Sequence, residues 1–166
     1  MSELDVLRNV PLFAGLSQAQ LEAVVRAVRP HCVAVDQAIL SEGEQGDSMF
    51  ILVKGSVEVS KRLGPLASVS ENGAKEKVLV RLHAPQFLGE MGLLEGTERS
   101  ATVTARSECN LLELTQSDFE RLAEHDPALG YVVVRNIARV LSSRLRRTDH
   151  DMVKLTVALS LALGNR

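Results

Sequence analysis

The feature that most constrains this chain is a change of hydrophobic period that happens twice. Up to residue 30, apolar side chains recur at steps of three and four. From His31 to Thr115 they alternate or run in short blocks, and after Thr115 the helical spacing returns. A period near 3.6 buries one face of a helix, and a period of two buries one face of a strand. The pattern therefore predicts helices, then strands, then helices. Gly43, Gly46, Gly55, Gly64-Pro65, Asn72-Gly73, Pro85 and Gly96 punctuate the middle block. Many short strands with regular turns predict a sandwich or barrel.

Local signals sharpen this outline. Leu4, Leu7 and Val10 form a short stripe, and Pro11 to Leu16 a compact turn. Ser17 followed by Gln20 is a capping box, opening a helix whose inward face is Leu21, Val24, Val25 and Val28 and which Pro30 ends. The strand signals are Cys32/Ala34 alternating with Val33/Val35, the run Met49–Val53, then Ser56–Ser60, Lys77–Leu82, Ala101–Ala105 and Cys109–Leu114. Gly64 to Glu76 is polar and predicts a mobile loop. Ser117-Asp118 opens a helix with Phe119 and Leu122 facing inward. Asp126-Pro127 opens another, and Gly130 alone interrupts it before Leu163.

The stretch that carries chemistry is residues 87–106, FLGEMGLLEGTERSATVTAR. A strand ends at Gly89 and a very short helix begins, with its first amides free to face an anion. Arg99 follows nine positions after Glu90 and offers a planar fork that suits phosphate. Ser100 adds a hydroxyl, Ala101 a backbone N–H, and Glu90 an acceptor for a sugar hydroxyl. These groups suit a small ligand with both phosphate and sugar. The residues equally allow a Glu90–Arg99 ion pair that merely closes a turn.

This segment resembles the phosphate-binding cassette of cyclic nucleotide-binding domains, such as those of bacterial catabolite activators and protein kinase A regulatory subunits. Phe87, Gly89, Glu90, Gly92, Leu93, Leu94, Arg99, Ser100, Ala101 and Thr102 carry the likeness. Gly43-x-x-Gly46-Asp47 through Gly55-Ser56-Val57-Glu58-Val59 resembles the glycine turn and hairpin of the same domains, and Val10–Leu16 their N-terminal helix-turn. The likeness covers roughly residues 4–150. It implies an α+β fold: a β-roll or jelly roll of eight or so antiparallel strands, with N-terminal helices and a long C-terminal helix. The segments would be 1–30 (N-terminal helices), 31–115 (the β-roll, with the cassette at 87–102) and 116–166 (a hinge helix and a long dimerisation helix). By resemblance, Glu90 would hold the ribose. Arg99, Ser100, Gly89 and Ala101 would hold the cyclic phosphate, and Val59, Val80, Leu88 and Thr148 would meet the base. For Val59, Val80 and Leu88, ordinary core packing is an equal alternative. Ser100 follows the arginine where kinase-type sites have Ala for cAMP or Thr for cGMP. The expected ligand is cAMP in preference to cGMP, and no other cofactor is expected. Asp149 departs from the hydroxyl pair that caps the purine in the bacterial activator.

Other classes are disfavoured. Cys32 and Cys109 lack metal-type spacing and are expected to be reduced core thiols. The four histidines are scattered, with no His-x-His of a cupin enzyme and no catalytic triad, so no metal site and no enzyme activity are expected. A cupin-type enzyme, or a receptor for another nucleotide such as a cyclic dinucleotide, remains the alternative. No apolar run approaches the roughly 20 residues that span a bilayer, and no signal core opens the chain, which points to the cytoplasm. Too few residues follow the long helix for a three-helix DNA reader, so direct DNA binding is not expected and the output is an unknown effector protein.

Charge and the last helix complete the reading. Residues 1–126 hold 12 Lys/Arg against 19 Asp/Glu, whereas residues 127–166 hold 7 against 2. The basic cluster Arg144, Arg146 and Arg147 reads as a solvated helix face. Leu145, Thr148, Met152, Leu155, Leu159 and Ala162 recur at steps of three and four, an a/d seam, with Val134, Ile137 and Leu141 forming a similar seam above. Two copies pairing in parallel would bury this seam. Folding back on the roll is the alternative.

Overall fold

The computed structural model describes residues 3–62 and 76–164. Helix α1 (Glu3–Asn9), a 3-10 turn (Pro11–Phe13) and α2 (Gln18–Ala27) come first. The capping box forms as the sequence predicts. Ser17 Oγ accepts from the Gln20 amide at 3.3 Å, and Gln20 Oε1 accepts from the Ser17 amide at 2.9 Å. Eight strands follow among the described residues: β1 (Arg29–Val33), β2 (Ala38–Leu40), β3 (Ser48–Lys54), β4 (Ser56–Arg62), β5 (Glu76–His83), β6 (Gln86–Leu88), β7 (Thr102–Ala105) and β8 (Cys109–Thr115). Helix α3 (Glu90–Glu95) lies between β6 and β7. Helices α4 (Gln116–His125) and α5 (Pro127–Gly164) close the chain.

The strands make two antiparallel four-stranded sheets, one in the order β1-β8-β3-β6 and the other β2-β7-β4-β5. This is the β-roll of the α+β class expected from the sequence. The first sheet is covered on both faces. On β3, Met49 and Ile51 point into a core shared with α1, α2, α4 and α5, while Leu52 points into a second core between the sheets. On β8, Leu112 and Leu114 face the helices and Leu111 faces the other sheet. A strand buried on both sides needs apolar residues at successive positions, which explains the run Met49–Val53. On the second sheet, Val57 and Val59 of β4 turn to the inter-sheet core, and Glu58 between them is buried on the other face, where it pairs with Arg81 and Arg106.

Several local expectations are corrected. Cys109 is buried, but Cys32 is exposed, on edge strand β1, whose side chains are left largely uncovered. Its Sγ contacts Asn110 Oδ1 at 3.7 Å rather than a core. Strand β1 begins at Arg29 and takes in Pro30, which an edge strand tolerates. Val35 lies beyond that strand and is exposed. Helix α4 begins at Gln116, capped by Thr115 Oγ1, which accepts from the Asp118 amide at 3.1 Å. The polar stretch 64–75 lies outside the described residues, and Glu76 is the first residue of β5.

Helix α5 has two unlike halves. Leu129, Val133 and Ile137 are buried in the helix-side core, with Val140 and Leu141 packed on its rim. Ile137 and Leu141 therefore serve their own roll and not an upper inter-subunit seam. Beyond them the apolar side chains are open to solvent, with Leu155 at 69% exposure. The described part of α5 does not fold back on the roll. Asp126 caps this helix as the sequence predicts, its Oδ1 accepting from the Leu129 amide at 3.1 Å. The Gln20 side chain, and then that amide, hold the Asp126 carboxyl below the usual range. Inside the packed half, buried Asn136 donates from Nδ2 to the Leu12 and Ala14 carbonyls, each at 2.9 Å. Replacing Asn136 by Ala strands two carbonyls of the N-terminal turn. Unfolding in urea should show a loss of about 1–3 kcal/mol; a variant as stable as the parent would mean those carbonyls find other partners.

Candidate functional site

The site is built where the glycine turn after β2 meets the segment between α3 and β7. The turn is laced to that segment through the backbone. The Gly43 amide donates to the Arg99 carbonyl at 2.9 Å, and the Arg99 amide donates to the Glu44 carbonyl at 2.8 Å. The Gly46 amide donates to the Thr97 carbonyl at 3.3 Å. Two motifs far apart in sequence thus hold each other in place. The Arg99 side chain runs back between Gly46 and Gly92. Arg99 Nη1 donates to the Ser48 carbonyl at 2.5 Å and to the Gly89 carbonyl at 3.4 Å, and Nη2 donates to Ser48 Oγ at 3.1 Å.

The partners of Arg99 are all neutral. Among the described residues no carboxylate forms an ion pair with it. Burial pulls its pKa down, with Asp47, Glu113 and Glu44 acting in the opposite sense from a distance. Arg106, the next arginine along the chain, is the contrast. It bonds Glu58 Oε1 and Asp36 Oδ1, each at 2.7 Å, and these carboxylates, Glu58 foremost, raise its pKa. One arginine is paired directly with carboxylates, and the other is hydrogen-bonded to neutral acceptors with carboxylates only at a distance.

A cavity of about 120 Å³ opens beside Arg99. Gly89, Glu90, Arg99, Ser100 and Ala101 line it, as does Val59, and so do Leu40, which the sequence did not single out, and Arg144, which the sequence assigned to a solvated helix face and which the structure brings to the cavity. Val80 pairs with Val59 across β4 and β5 and is 40% exposed, but it does not line the cavity. Leu88 is buried in the inter-sheet core, and Thr148 lies on the exposed half of α5, its hydroxyl donating to the Arg144 carbonyl at 3.1 Å. Neither is at the cavity wall. Ser100 is exposed, its Oγ 3.8 Å from the Met91 sulfur.

Glu90 does not close a turn with Arg99. It is 3% exposed, and its carboxylate pairs with Arg144 of α5. The Arg144 guanidinium also lies over the Phe87 ring, 5.9 Å from its centroid. A sequence signal for Arg144 exists: it continues the stripe Ile137–Leu141 by a step of three, which brings its guanidinium to the roll while the side chain stays 45% exposed.

This fold and cassette define a ligand-binding β-roll. The chain belongs to the cyclic nucleotide-binding domain family, whose profile matches residues 30–126. It is 39% identical over 135 residues to a cyclic nucleotide-gated potassium channel of Rhizobium etli, covering 78% of this chain and 34% of that one. It is 26% identical over 146 residues to the cyclic AMP receptor protein of Thermus thermophilus, covering 88% of this chain and 62% of the relative. The chain therefore spans about a third of the channel relative's length. Among solved structures, the Thermus thermophilus catabolite activator protein superposes with a TM-score of 0.74 at 27% identity, over 88% of this chain and 63% of the other. The regulatory domain of Toxoplasma gondii protein kinase A with cAMP gives 0.62 at 28% identity, over 72% and 42%.

The packing around Arg99 can be tested without ligand. A Cβ on Gly92 would stand 2.7 Å from the Gly46 carbonyl oxygen and closer still to Arg99 Nη1. Gly92→Ala should cost about 1–3 kcal/mol in a urea titration. Gly164→Ala, which meets nothing within 4 Å, should be neutral or slightly stabilising. Equal effects from the two would remove the steric argument.

Proposed function

We propose that this chain binds cAMP in preference to cGMP, with the cyclic phosphate on Arg99 and the ribose on Glu90. The observation that carries this reading is Arg99 itself: a partly buried cation, aimed by neutral acceptors, beside a cavity that the Ser100 hydroxyl and two carboxylate residues, Glu90 and Glu98, also line. A phosphate would supply the missing countercharge, with the Ser100 hydroxyl and the Gly89 and Ala101 amides adding donors. Glu90 would accept from the ribose 2′-hydroxyl. Val59, Val80, Leu88 and Thr148 would contact the base after some rearrangement. Arg99 and Ser100 offer donors and Glu90 an acceptor, a set that holds a phosphate and a sugar with no proton to move. The role is therefore regulatory and not catalytic, with no metal and no other cofactor. The cAMP-bound kinase regulatory domain and the cyclic AMP receptor relative support cAMP as the ligand.

Calorimetric titration with cAMP, cGMP and a cyclic dinucleotide tests the assignment. Wild type should bind cAMP with micromolar affinity or tighter, about -8 kcal/mol. Arg99→Ala should lose about 2–5 kcal/mol of that. Undiminished binding by Arg99→Ala would refute the site.

The output runs through α5 to an effector protein in the cytoplasm, without direct DNA contact. No helix among the described residues is long and apolar enough to cross a membrane. Leu145, Met152, Leu155 and Leu159 on one face of α5 are each at least 60% exposed, and two copies of the helix, paired in parallel, would bury them. Combining Met152→Glu with Leu155→Glu should shift sedimentation from dimer to monomer. Wild type already monomeric at high micromolar concentration with cAMP present would end the dimer reading.

A further inference from the structure

A second cavity, of about 460 Å³, lies between the end of α2, the start of β1 and α4, and its lining shares no residue with the candidate site. Its size falls in the range of about 300–1,000 Å³ that small-molecule sites occupy. Helical spacing builds it. Ala23, Arg26 and Ala27 share one face of α2, and Asp118, Arg121, Leu122 and His125 share one face of α4. Ala23, Ala27 and Leu122 are half-buried and form an apolar floor. Arg26, Arg29, Arg121 and His125 are exposed and form the rim.

The charges around this cavity do not balance. Asp118 is its one carboxylate, 5% exposed. The Thr115 hydroxyl donates to Asp118 Oδ2 at 2.7 Å, and this bond first, with Arg121 adding to it against the effect of burial, holds the carboxyl below its usual range. Arg29 Nη2 lies 3.5 Å from the same oxygen, and Arg121 pairs with Oδ1. Arg26 has no hydrogen bond or ion pair among the described residues. Three arginines against one aspartate leave two positive charges, before His125 is counted. This concentration stands in a part of the chain, residues 1–126, where 19 Asp/Glu outnumber 12 Lys/Arg.

We propose that this cavity is a second ligand site, for a free phosphomonoester with a small apolar body. A phosphomonoester carries about −1.5 to −2 at pH 7 and so matches the surplus, whereas a single carboxylate would leave part of it uncompensated. Guanidinium forks suit phosphate oxygens, and each has five N–H donors, so Arg29 and Arg121 can keep Asp118 on one edge and take phosphate on another. Asp118 thereby orients two of the three arginines, and Arg26 brings a guanidinium with no bond to break. The carbon part of the ester would cover Ala23, Ala27 and Leu122.

Amide nitrogen–proton correlation spectra of the full chain test this, with inorganic phosphate and phenyl phosphate titrated at constant ionic strength. Phenyl phosphate should shift the amides of residues 23–29 and 118–125 saturably, and bind at least about fivefold more tightly than inorganic phosphate because its ring meets the floor. Arg26→Gln breaks no contact of the fold and should weaken that binding about tenfold, the effect of losing one charge-assisted contact. The same shifts should persist in Arg99→Ala, which separates this site from the cassette. Undiminished binding by Arg26→Gln, or equal shifts from sodium chloride, would overturn the proposal. Shifts lost in Arg99→Ala but kept in Arg26→Gln would place the anion in the cassette and overturn it as well. Vesicles carrying phosphatidic acid present the same phosphomonoester on a lipid; cosedimentation with them, without binding of phenyl phosphate, would overturn the free ligand.

Discussion

The Arg99 guanidinium sits in space that Gly46 and Gly92 leave open, and most of the site's geometry follows from that contact. A side chain at either glycine would collide with it. Because Gly46 must lie against Arg99, the turn after β2 is drawn onto the segment before β7, and backbone hydrogen bonds at Gly43, Glu44 and Gly46 lock the two together. Because Gly92 must lie on the other side, α3 is placed as well, and Glu90 at its start faces the same cavity as Ser100 and Ala101. The acceptors that aim Arg99 come from Ser48, the first residue of β3. That strand is packed against two cores, so the guanidinium is anchored on a strand covered on both faces.

What could be read from sequence divides along the same line. The capping box at Ser17, the Asp126 cap, the covered run Met49–Val53 and the alternation of β4 are local patterns, and each is set by residues within a few positions. The glycine turn and the cassette were both visible as motifs. Their mutual pairing was not, because a hydrogen bond between Glu44 and Arg99 spans too much chain to leave a periodic trace. Cys32 shows the same limit. Its neighbours alternate as in any strand, but whether a strand is central or an edge depends on partners elsewhere, and β1 has only β8. Thr115 capped α4 in place of the more polar pair that follows it. A cap depends on which hydroxyl reaches a free amide, and boundaries shift by a residue or two for that reason.

Arg144 is the instructive case. Beside Arg146 and Arg147 it belongs to a basic cluster, and basic clusters on helices usually face water. Its position relative to Ile137 and Leu141 argues otherwise, since a stripe that buries apolar residues carries its next member inward too. The two patterns conflict at one residue, and the structure decides for the stripe, with the charge matched by Glu90. A charged residue on the buried stripe of a helix is a prompt to look for its countercharge on a different element.

The position of that ion pair along α5 matters as much as its chemistry. The half of α5 before it is fixed by Leu129, Val133, Asn136 and Ile137 to the core and to the N-terminal turn. The half after it has no packing within the described chain. A continuous helix rises about 1.5 Å per residue, so the stretch from Arg144 to Gly164 is a rod about 30 Å long. A rod of that length turns a change of angle at its base into a displacement at its tip many times larger than the movement of a single side chain. Val140 and Leu141, half-buried on the rim of the core, are the last apolar contacts before the rod begins. The ion pair of Arg144 with Glu90 stands at the base of that rod, so the candidate site and the exposed half of α5 meet at one contact.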